Sequence, residues 1–288
     1  MNGVRAAAYG ERFGRVFDYI HEHLGEDLSV DRLSEVANFS KFHFHRQFSQ
    51  YAGVSVIRYI QLMRLRRASY RLAFEERTRV IDIAMEAGFE NPESFSRAFK
   101  NTFGQTPSQF RKHPAWRLWT EQYRFPIRER MQTMIVKIVD FPKTMVAALE
   151  HRGAPELVND SAKRFMEWRR ASGLSPVKSS DTFGIAYDDP AAVPAELFRF
   201  DICGSVAAEV PHNPQGVVNK VISGGRCAVV RHLGSHDRIA ESVYYLYREW
   251  LPESGEEPRD FPLFFHYLNL IPETQEHELV TDIHLPLQ

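Results

Sequence analysis

The chain has 288 residues, 43% of them hydrophobic and 25% charged, with two cysteines and a formal net charge of −1. These proportions indicate a globular protein of about two domains and exclude collagen-like, low-complexity and disulfide-stapled chains. The first residues lack the apolar core of a signal peptide, and no uncharged apolar run approaches the roughly 18 residues of a membrane span. We therefore expect a cytoplasmic protein with no membrane partner.

The small net charge conceals a difference between the two halves of the chain. Residues 1–130 hold 21 Lys and Arg against 15 Asp and Glu, a net charge of +6. Residues 131–288 hold 15 against 22, a net charge of −7. A basic half beside an acidic half favours a polyanion as partner of the first domain alone.

The first half is predicted to be all-α and to contain an internal repeat. Residues 37–40 (Ala-Asn-Phe-Ser) and residues 87–90 (Ala-Gly-Phe-Glu) interrupt the helical pattern in the same way at an offset of 50, which becomes 51 after one inserted residue. So many matching aromatic, arginine and glycine positions indicate duplication of one supersecondary unit. The matching pairs are Phe44 and Phe95, Arg46 and Arg97, Phe48 and Phe99, Gly53 and Gly104, Ser55 and Thr106, and Tyr59 and Phe110.

Each unit, 30–51 and 80–103, is predicted to be a short helix, a tight turn and a longer helix, which is the pattern of a helix-turn-helix. Ser40 is the predicted N-cap of the first long helix, and Asn91 before Pro92 opens the second. An aromatic stripe on each long helix is predicted to face the core. The stripes are Phe44, Phe48 and Tyr51, and Phe95, Phe99 and Phe103.

The opposite faces of the long helices are candidates for reading DNA. Arginine matches the acceptors of guanine, carboxylates accept from cytosine, and hydroxyls serve either partner. Either face alone could equally be the solvated side of a small helical bundle, but the duplication favours recognition. The faces carry Lys41, Phe42, His45 and Arg46, and then Glu93, Ser94, Ser96 and Arg97.

A long helix over residues 56–72 is predicted between the two units. At ~1.5 Å per residue it spans roughly 25 Å, close enough to the ~34 Å between successive major-groove faces for one chain to read two grooves. Its arginines, Arg66 among them, are candidate phosphate contacts, although surface solubility explains any single one equally well.

The run over residues 33–112 resembles the DNA-binding domain of the AraC/XylS family, and we assign residues 11–113 to that domain. The resemblance rests on the second-unit pattern of Ala84, Gly88, Phe89, Phe95, Arg97, Phe99, Lys100, Phe103, Gly104, Thr106, Pro107, Phe110 and Arg111. It implies a transcription regulator that binds a promoter site, and RNA polymerase as a partner. It also implies base contacts from Phe42, His45, Arg46, Glu93, Ser94 and Arg97, with backbone contacts expected from Ser40, Lys41, Arg66, Lys100 and Thr106. Relatives often carry Trp and Gln at positions 42 and 45, so their operators do not transfer.

After a predicted linker at 114–130, residues 131–288 are predicted to form an α+β domain with a duplicated β-β-α-β-β order. Strands are expected at 134–139, 145–151, 183–187, 197–203, 217–222, 227–232, 263–269 and 279–285, and helices at 156–171 and 236–250. Residues 146–153 parallel residues 227–234 at an offset of 81, which predicts a pseudo-dimer with a cleft at its axis. Cys203 and Cys227 are expected to be buried free thiols in these strands.

This half resembles the GyrI-like small-molecule-binding domain, the effector module of Rob-type AraC regulators. The resemblance rests on the segments LFFHYLN and EHELVTDIHLPL and implies a small-molecule effector. Many members place a Glu in the cleft for cationic ligands where this chain has Phe265, which favours apolar or neutral ligands. Tyr267 and Asn269 match the family. With Phe265 they join Trp168 and Tyr187 as candidate pocket residues, each of which could instead be plain core.

An enzyme is the alternative function, because some GyrI-like proteins are hydrolases that use a cleft carboxylate. The Glu is absent here, and the chain contains none of the patterns GxSxG, HExxH, GxxxxGK[ST] or GxGxxG. We therefore expect no catalytic site, no metal and no cofactor. The sequence leaves open the operator, the effector, the oligomeric state, and whether the protein activates or represses.

Overall fold

The computed structural model describes residues 2–123, 125 and 134–288, and for residues 2–9 and 42 it describes the backbone alone. The chain divides into two compact units, one of residues 1–132 with 275–277 and the other of residues 133–274 with 278–288. Their described parts confirm the predicted fold class, since helices fill the first unit and one antiparallel sheet with helices forms the second.

The first unit contains both predicted helix-turn-helix units. A long first helix precedes them, and one central helix joins them. The helices are α1 (Asn2–Glu22), α2 (Val30–Val36), α3 (Lys41–Ala52), α4 (Val56–Phe74), α5 (Val80–Glu86), α6 (Pro92–Phe103), α7 (Pro107–Lys112) and α8 (Trp116–Glu121).

The two turns inside the units have the same geometry. Asn38 has φ 53° and Gly88 has φ 75°, so both occupy the left-handed region that Gly and Asn tolerate best. The residue after each turns back onto the short helix, Phe39 donating its N–H to Ser34 at 3.0 Å and Phe89 to Ala84 at 3.2 Å. The duplication read from the sequence is therefore a duplication of backbone conformation.

Two aromatic-rich cores lie on either side of α4. One contains Phe44 and Phe48 of α3 and the other Phe95 and Phe99 of α6, all four at 0% exposure. Buried side chains occur on every side of α4 because it serves both cores. Helix α8 contradicts the expectation of a bare linker from residue 114 onward. Its two tryptophans are buried in the second core, where their rings lie 5.4 Å apart.

The second unit is built on an eight-stranded antiparallel sheet of order β1-β6-β8-β7-β3-β4-β2-β5. Its strands are β1 (Val136–Phe141), β2 (Thr144–Arg152), β3 (Thr182–Ala186), β4 (Arg199–Ser205), β5 (Val218–Ile222), β6 (Gly225–Leu233), β7 (Leu263–Tyr267) and β8 (Val280–Pro286). Its helices are α9 (Val158–Ser172) and α10 (Ile239–Tyr245), the latter continued by a π-helical turn (Leu246–Trp250) and by α11 (Leu251–Ser254). Every strand predicted from the sequence is present, with bounds shifted by at most two residues.

The second unit repeats itself at a constant offset of 81 residues. Strands β2, β3 and β4 recur as β6, β7 and β8 with identical relative bounds, and α9 and α10 begin 81 residues apart. Even a buried contact recurs: the ring Nδ1 of His151 lies 2.9 Å from Ser161 Oγ, and that of His232 lies 3.0 Å from Ser242 Oγ. The offset seen in two short segments therefore extends through the whole unit.

The two repeats exchange strands. The first strand of each repeat pairs with the second strand of the other, β1 with β6 and β5 with β2. The repeats also join directly through β3 and β7, where Gly184 is paired with its own repeat equivalent, Phe265. The pseudo-two-fold axis of the unit therefore passes through this pair.

Candidate nucleic-acid interface and candidate ligand cleft

The predicted DNA-contacting face of α3 is open to solvent. Lys41, His45 and Arg46 are exposed, while Phe44 between them is buried. Ser40 caps the helix with its backbone and makes no side-chain capping bond, and Lys41 forms an ion pair with Asp31. The side chain of Phe42 lies outside the described residues.

The equivalent face of α6 is also open, and its start is more firmly capped. The side chain of Asn91 accepts the backbone N–H of Ser94 at 2.8 Å, and the Ser94 hydroxyl donates to the Asn91 carbonyl at 2.8 Å. Glu93, Arg97 and Lys100 are exposed on the following turns. Each recognition face thus presents cationic side chains on a rigid helix.

Thr106 lies at the N-cap of α7. It forms a capping box in which the Gln109 side chain accepts its backbone N–H at 2.9 Å. Thr106 is half-buried, so its backbone contact to DNA stays a proposal, one that would add to this structural role.

Arg66 was predicted to contact the DNA backbone, and the structure contradicts this. The side chain is only 5% exposed, and its guanidinium lies 5.4 Å from the ring centre of Trp119 and 5.1 Å from that of Tyr123. Cation–π stacking inside the unit holds the charge that a phosphate would need. We remove Arg66 from the proposed backbone contacts.

Other arginines of α4 also hold the unit together. Arg64 donates to the carbonyls of Leu24 at 3.0 Å and Glu26 at 2.7 Å, tying α4 to the end of the first helix. Burial lowers the pKa of Arg64. Arg58 donates to Thr102 Oγ1 at 3.2 Å, tying α4 to α6. These arginines position the two recognition helices relative to α4.

The axis of the second unit lies in a cleft floor lined by aromatic rings. Phe265 is 7% exposed, and its ring centre lies 6.2 Å from that of Phe200 and 6.1 Å from that of Tyr267. Gly184 leaves room for them: a Cβ there would overlap the Phe200 ring and lie 2.8 Å from the Tyr267 hydroxyl. Burial raises the pKa of Tyr267, so its hydroxyl stays protonated. The cleft floor is apolar with one hydroxyl.

Asn269, predicted to face a ligand, serves the backbone instead. Its amide donates to the Glu278 carbonyl at 2.9 Å and accepts the N–H of Val280 at 2.8 Å. Its repeat equivalent, Asp188, accepts the N–H of Arg199 in the same way at 2.9 Å. The offset of 81 could have revealed this structural role, and we correct the prediction.

Trp168 and Tyr187 are not placed at the axis either. Trp168 is 2% exposed and stacks on Phe165 at 5.5 Å in the core beneath α9. The Tyr187 hydroxyl donates to Asp201 at 2.8 Å within an ion-pair cluster that includes Lys220, 2.6 Å from the same carboxylate. Burial and the bond to Asp201 raise the pKa of Tyr187. Of the predicted pocket residues, Phe265 and Tyr267 line the axial cleft floor.

Sequence reasoning missed a buried arginine beside this cleft floor. Arg169 of α9 is 2% exposed and donates to the Ser175 carbonyl and, at 2.7 Å, to Thr182 Oγ1. Its Nη2 has no hydrogen-bond partner, and burial lowers its pKa to about 10. Comparison of the repeats would have singled it out, since the position 81 residues later holds Trp250.

The other face of the sheet is a closed apolar layer. Cys203 and Cys227 are buried free thiols in it, as predicted. His284, 5% exposed, stacks on Phe264 at 4.7 Å with neither ring nitrogen hydrogen-bonded, and burial lowers its pKa to about 4. This layer supports the strands that carry the cleft.

In the described part of the chain, no group of three or more His, Cys, Asp or Glu side chains could hold a metal ion. Over the same residues, none of the helices combines the length and apolar character needed to cross a membrane.

Two family models match the chain. Residues 134–288 match the GyrI-like small molecule binding domain, and residues 33–113 match a helix-turn-helix domain. Together the matches cover the duplicated β unit and both helix-turn-helix units.

Similar proteins are named as regulators or DNA-binding proteins. The probable transcriptional regulator YgiV of Escherichia coli K12 is 51% identical over 155 residues, which are 54% of this chain and 97% of that protein. The right origin-binding protein of the same strain is 35% identical over 98 residues, 34% of each chain. Among solved structures, the EcmrR–DNA complex in EcmrR-RPo has a TM-score of 0.48 at 14% identity, covering 91% of this chain and 85% of that one.

Proposed function

The chain belongs to the GyrI-like small molecule binding domain family and joins that domain to an AraC-type helix-turn-helix domain, and from this premise we propose a one-component transcription regulator. In it, α3 and α6 read two neighbouring stretches of DNA, and the axial cleft binds a small effector. The comparisons give no support to the enzyme alternative, because the curated relatives reported above are named as regulators or DNA-binding proteins.

The observation that carries the DNA-reading part is the equivalence of Arg46 and Arg97. Both are exposed, both lie on the open face of a long helix, and the two helices belong to duplicated units. Neither arginine forms an ion pair with another described residue, so both guanidiniums remain available to guanine. Phe42, His45, Glu93 and Ser94 complete the proposed base contacts, and Ser40, Lys41, Lys100 and Thr106 the proposed backbone contacts.

The remaining partners follow from this role. A regulator that binds a promoter acts on transcription through RNA polymerase, and its DNA target places it in the cytoplasm of a bacterial cell. The effector acts by binding one DNA-affinity state of the chain more tightly than another, so effector and operator affinities must be coupled reciprocally. The protein performs this role without a catalytic step.

Selection of random duplex DNA by the purified full-length chain tests the proposal. We expect two short enriched elements about one helical turn apart, one for each recognition helix. A pool that remains flat with and without extracts containing small molecules would contradict sequence-specific reading.

A further inference from the structure

Arg169 is a buried cation without a carboxylate. Its side chain is 2% exposed, and its bonded partners are the neutral oxygens of Ser175 and Thr182. No acidic side chain of the described residues lies within ion-pair distance of it, and its Nη2 is buried with no acceptor. A buried charge is costly unless it is paired, so this group lacks the partner that would offset its burial.

The fold itself does not require this arginine. The repeat equivalents of Arg169 and Thr182 are Trp250 and Leu263, and both pack in the apolar core beneath the second repeat's helix. The same helix-to-sheet packing is therefore achieved with apolar side chains. Arg169 breaks the symmetry of the unit where structure alone permits symmetry.

The sheet is hollowed to receive the guanidinium. A Cβ at Gly204 would overlap Ser175 Oγ and lie 3.3 Å from Arg169 Cζ. The repeat equivalent of Gly204 is Leu285, and that of Gly184 is Phe265. Two missing side chains on one face of the first repeat thus leave space for a polar group on the cleft side of the sheet.

This polar group adjoins the axial cleft. Thr182, which accepts from Arg169 Nη1, is the register partner of Tyr267 in the β3–β7 pair. Directly paired residues of antiparallel strands have their Cβ atoms about 5 Å apart on one face. Arg169 Nη2, the Thr182 hydroxyl and the Tyr267 hydroxyl are therefore neighbours at the edge of the aromatic floor.

We propose that the effector is a small carboxylic acid with a flat apolar body. Its carboxylate binds Arg169 Nη2 with help from the hydroxyls of Thr182 and Tyr267, and its body packs on Phe265 and Phe200. The inference rests on the proposed function and names the ligand class of the same cleft. It reverses the preference for cations that a carboxylate at position 265 would create, and it narrows the neutral or apolar ligand expected from the sequence.

A matched set of ligands tests the charge preference. The probes are benzoate and 2-naphthoate, their uncharged amides, and benzylammonium, titrated into the full-length protein by calorimetry. We expect at least one carboxylate to bind at least tenfold more tightly than its amide, and benzylammonium to bind more weakly still. Equal binding of acid and amide, or no carboxylate binding below about 10 mM, would overturn the proposal.

Two variants locate the preference. Arg169→Met should abolish the tenfold advantage of the acid over the amide, while Arg170→Met, at the exposed neighbouring position, should keep it. Phe265→Glu provides a second test that leaves Arg169 in place, and it should weaken the carboxylate and strengthen benzylammonium. Retained preference for the acid in a folded Arg169→Met protein, or in Phe265→Glu if Arg169→Met does not fold, would refute the assignment.

The result is separable from that of the DNA selection. Enrichment of two DNA elements together with absence of carboxylate binding rejects the ligand class alone. A flat DNA pool rejects the regulator whatever the ligand data show.

Discussion

Arg97 and Lys100 lie about one turn apart on the exposed face of α6, but we expect them to contribute differently to DNA binding. Arg97→Ala should cost about 1–3 kcal/mol at the preferred base and relax the preference there, because a bidentate base contact is lost. Lys100→Ala should weaken binding evenly across sequences and lower the slope of log affinity against log salt by about one, because one phosphate contact is lost.

Competition binding with the selected duplex and with single-base variants at several salt concentrations measures both effects. Glu121→Ala, which removes an exposed charge from α8, is the control and should leave both quantities near wild type. Sequence-independent losses of equal size from Arg97→Ala and Lys100→Ala would contradict the assignment of α6 to a groove.

His284 should make the second unit sensitive to mild acid. Burial lowers its pKa to about 4 from an ordinary value of 6.5, so the unfolded chain binds the proton more readily than the folded one. The stabilisation is complete above pH 6.5 and is lost as the pH falls from 6.5 to about 4, to a total of roughly 3 kcal/mol. His232, whose pKa burial also lowers, adds to the same loss.

Urea unfolding between pH 7.5 and 4 measures this loss. The variant His284→Phe keeps an aromatic ring against Phe264 and should reduce the acid sensitivity by about the share given above. A His284→Phe protein with an unchanged pH profile would show that the proton binds elsewhere.

The roles of individual residues were predictable from the sequence only where one side of an element faces solvent. The exposure of Arg46 and Arg97 follows from their places opposite the buried aromatic stripes, and it was predicted. Arg66 was misread because α4 is buried on every side, so its periodicity does not separate surface from interior. Arg169 was missed because a charged residue at a helical position is ordinarily read as surface.

At the scale of elements, the two turns within the helix-turn-helix units provide a matched pair of substitutions. Gly88→Ala should destabilise the first unit by about 1–2 kcal/mol, since φ is 75° and the new Cβ would lie 3.0 Å from the Arg64 guanidinium. Asn38→Gly at the equivalent position should change stability by less than about 0.5 kcal/mol, because φ is 53° there and glycine accepts it freely.

Chemical unfolding of the two variants and the wild type measures the difference. The substitutions lie at equivalent turns of one duplicated unit, so each serves as the other's control. Equal destabilisation by both would mean that the left-handed backbone conformation is not what the glycine provides.

The elements themselves were predicted more completely than their ends. Alternating apolar residues and turn signals were sufficient for all eight strands, and the constant offset of 81 supports each strand twice. Helix α8 was missed because Pro114 and the polar residues that follow read as a linker. The spacing of Trp116 and Trp119, three residues apart on one helical face, was the overlooked signal.

At the scale of the whole molecule, one chain should occupy one two-element DNA site. Two recognition helices in a single chain supply both groove contacts, so dimerisation is not needed for binding. Mass photometry of the complex with the selected duplex should give one chain per duplex. Arg46→Ala and Arg97→Ala should each remove enrichment of one element and leave the other. A complex of two chains per site, or simultaneous loss of both elements in each variant, would contradict this arrangement.

The exchange of first strands between the two repeats has a consequence for how the second unit folds. Neither repeat completes a sheet from its own residues, since β1 finishes the second repeat and β5 the first. No stable half can form ahead of the other, so folding must be a single all-or-none event that waits for the distant pairing of residues 136–141 with 225–230. The half-length ancestor of such a unit, before its gene was duplicated, would have existed only as an intertwined homodimer.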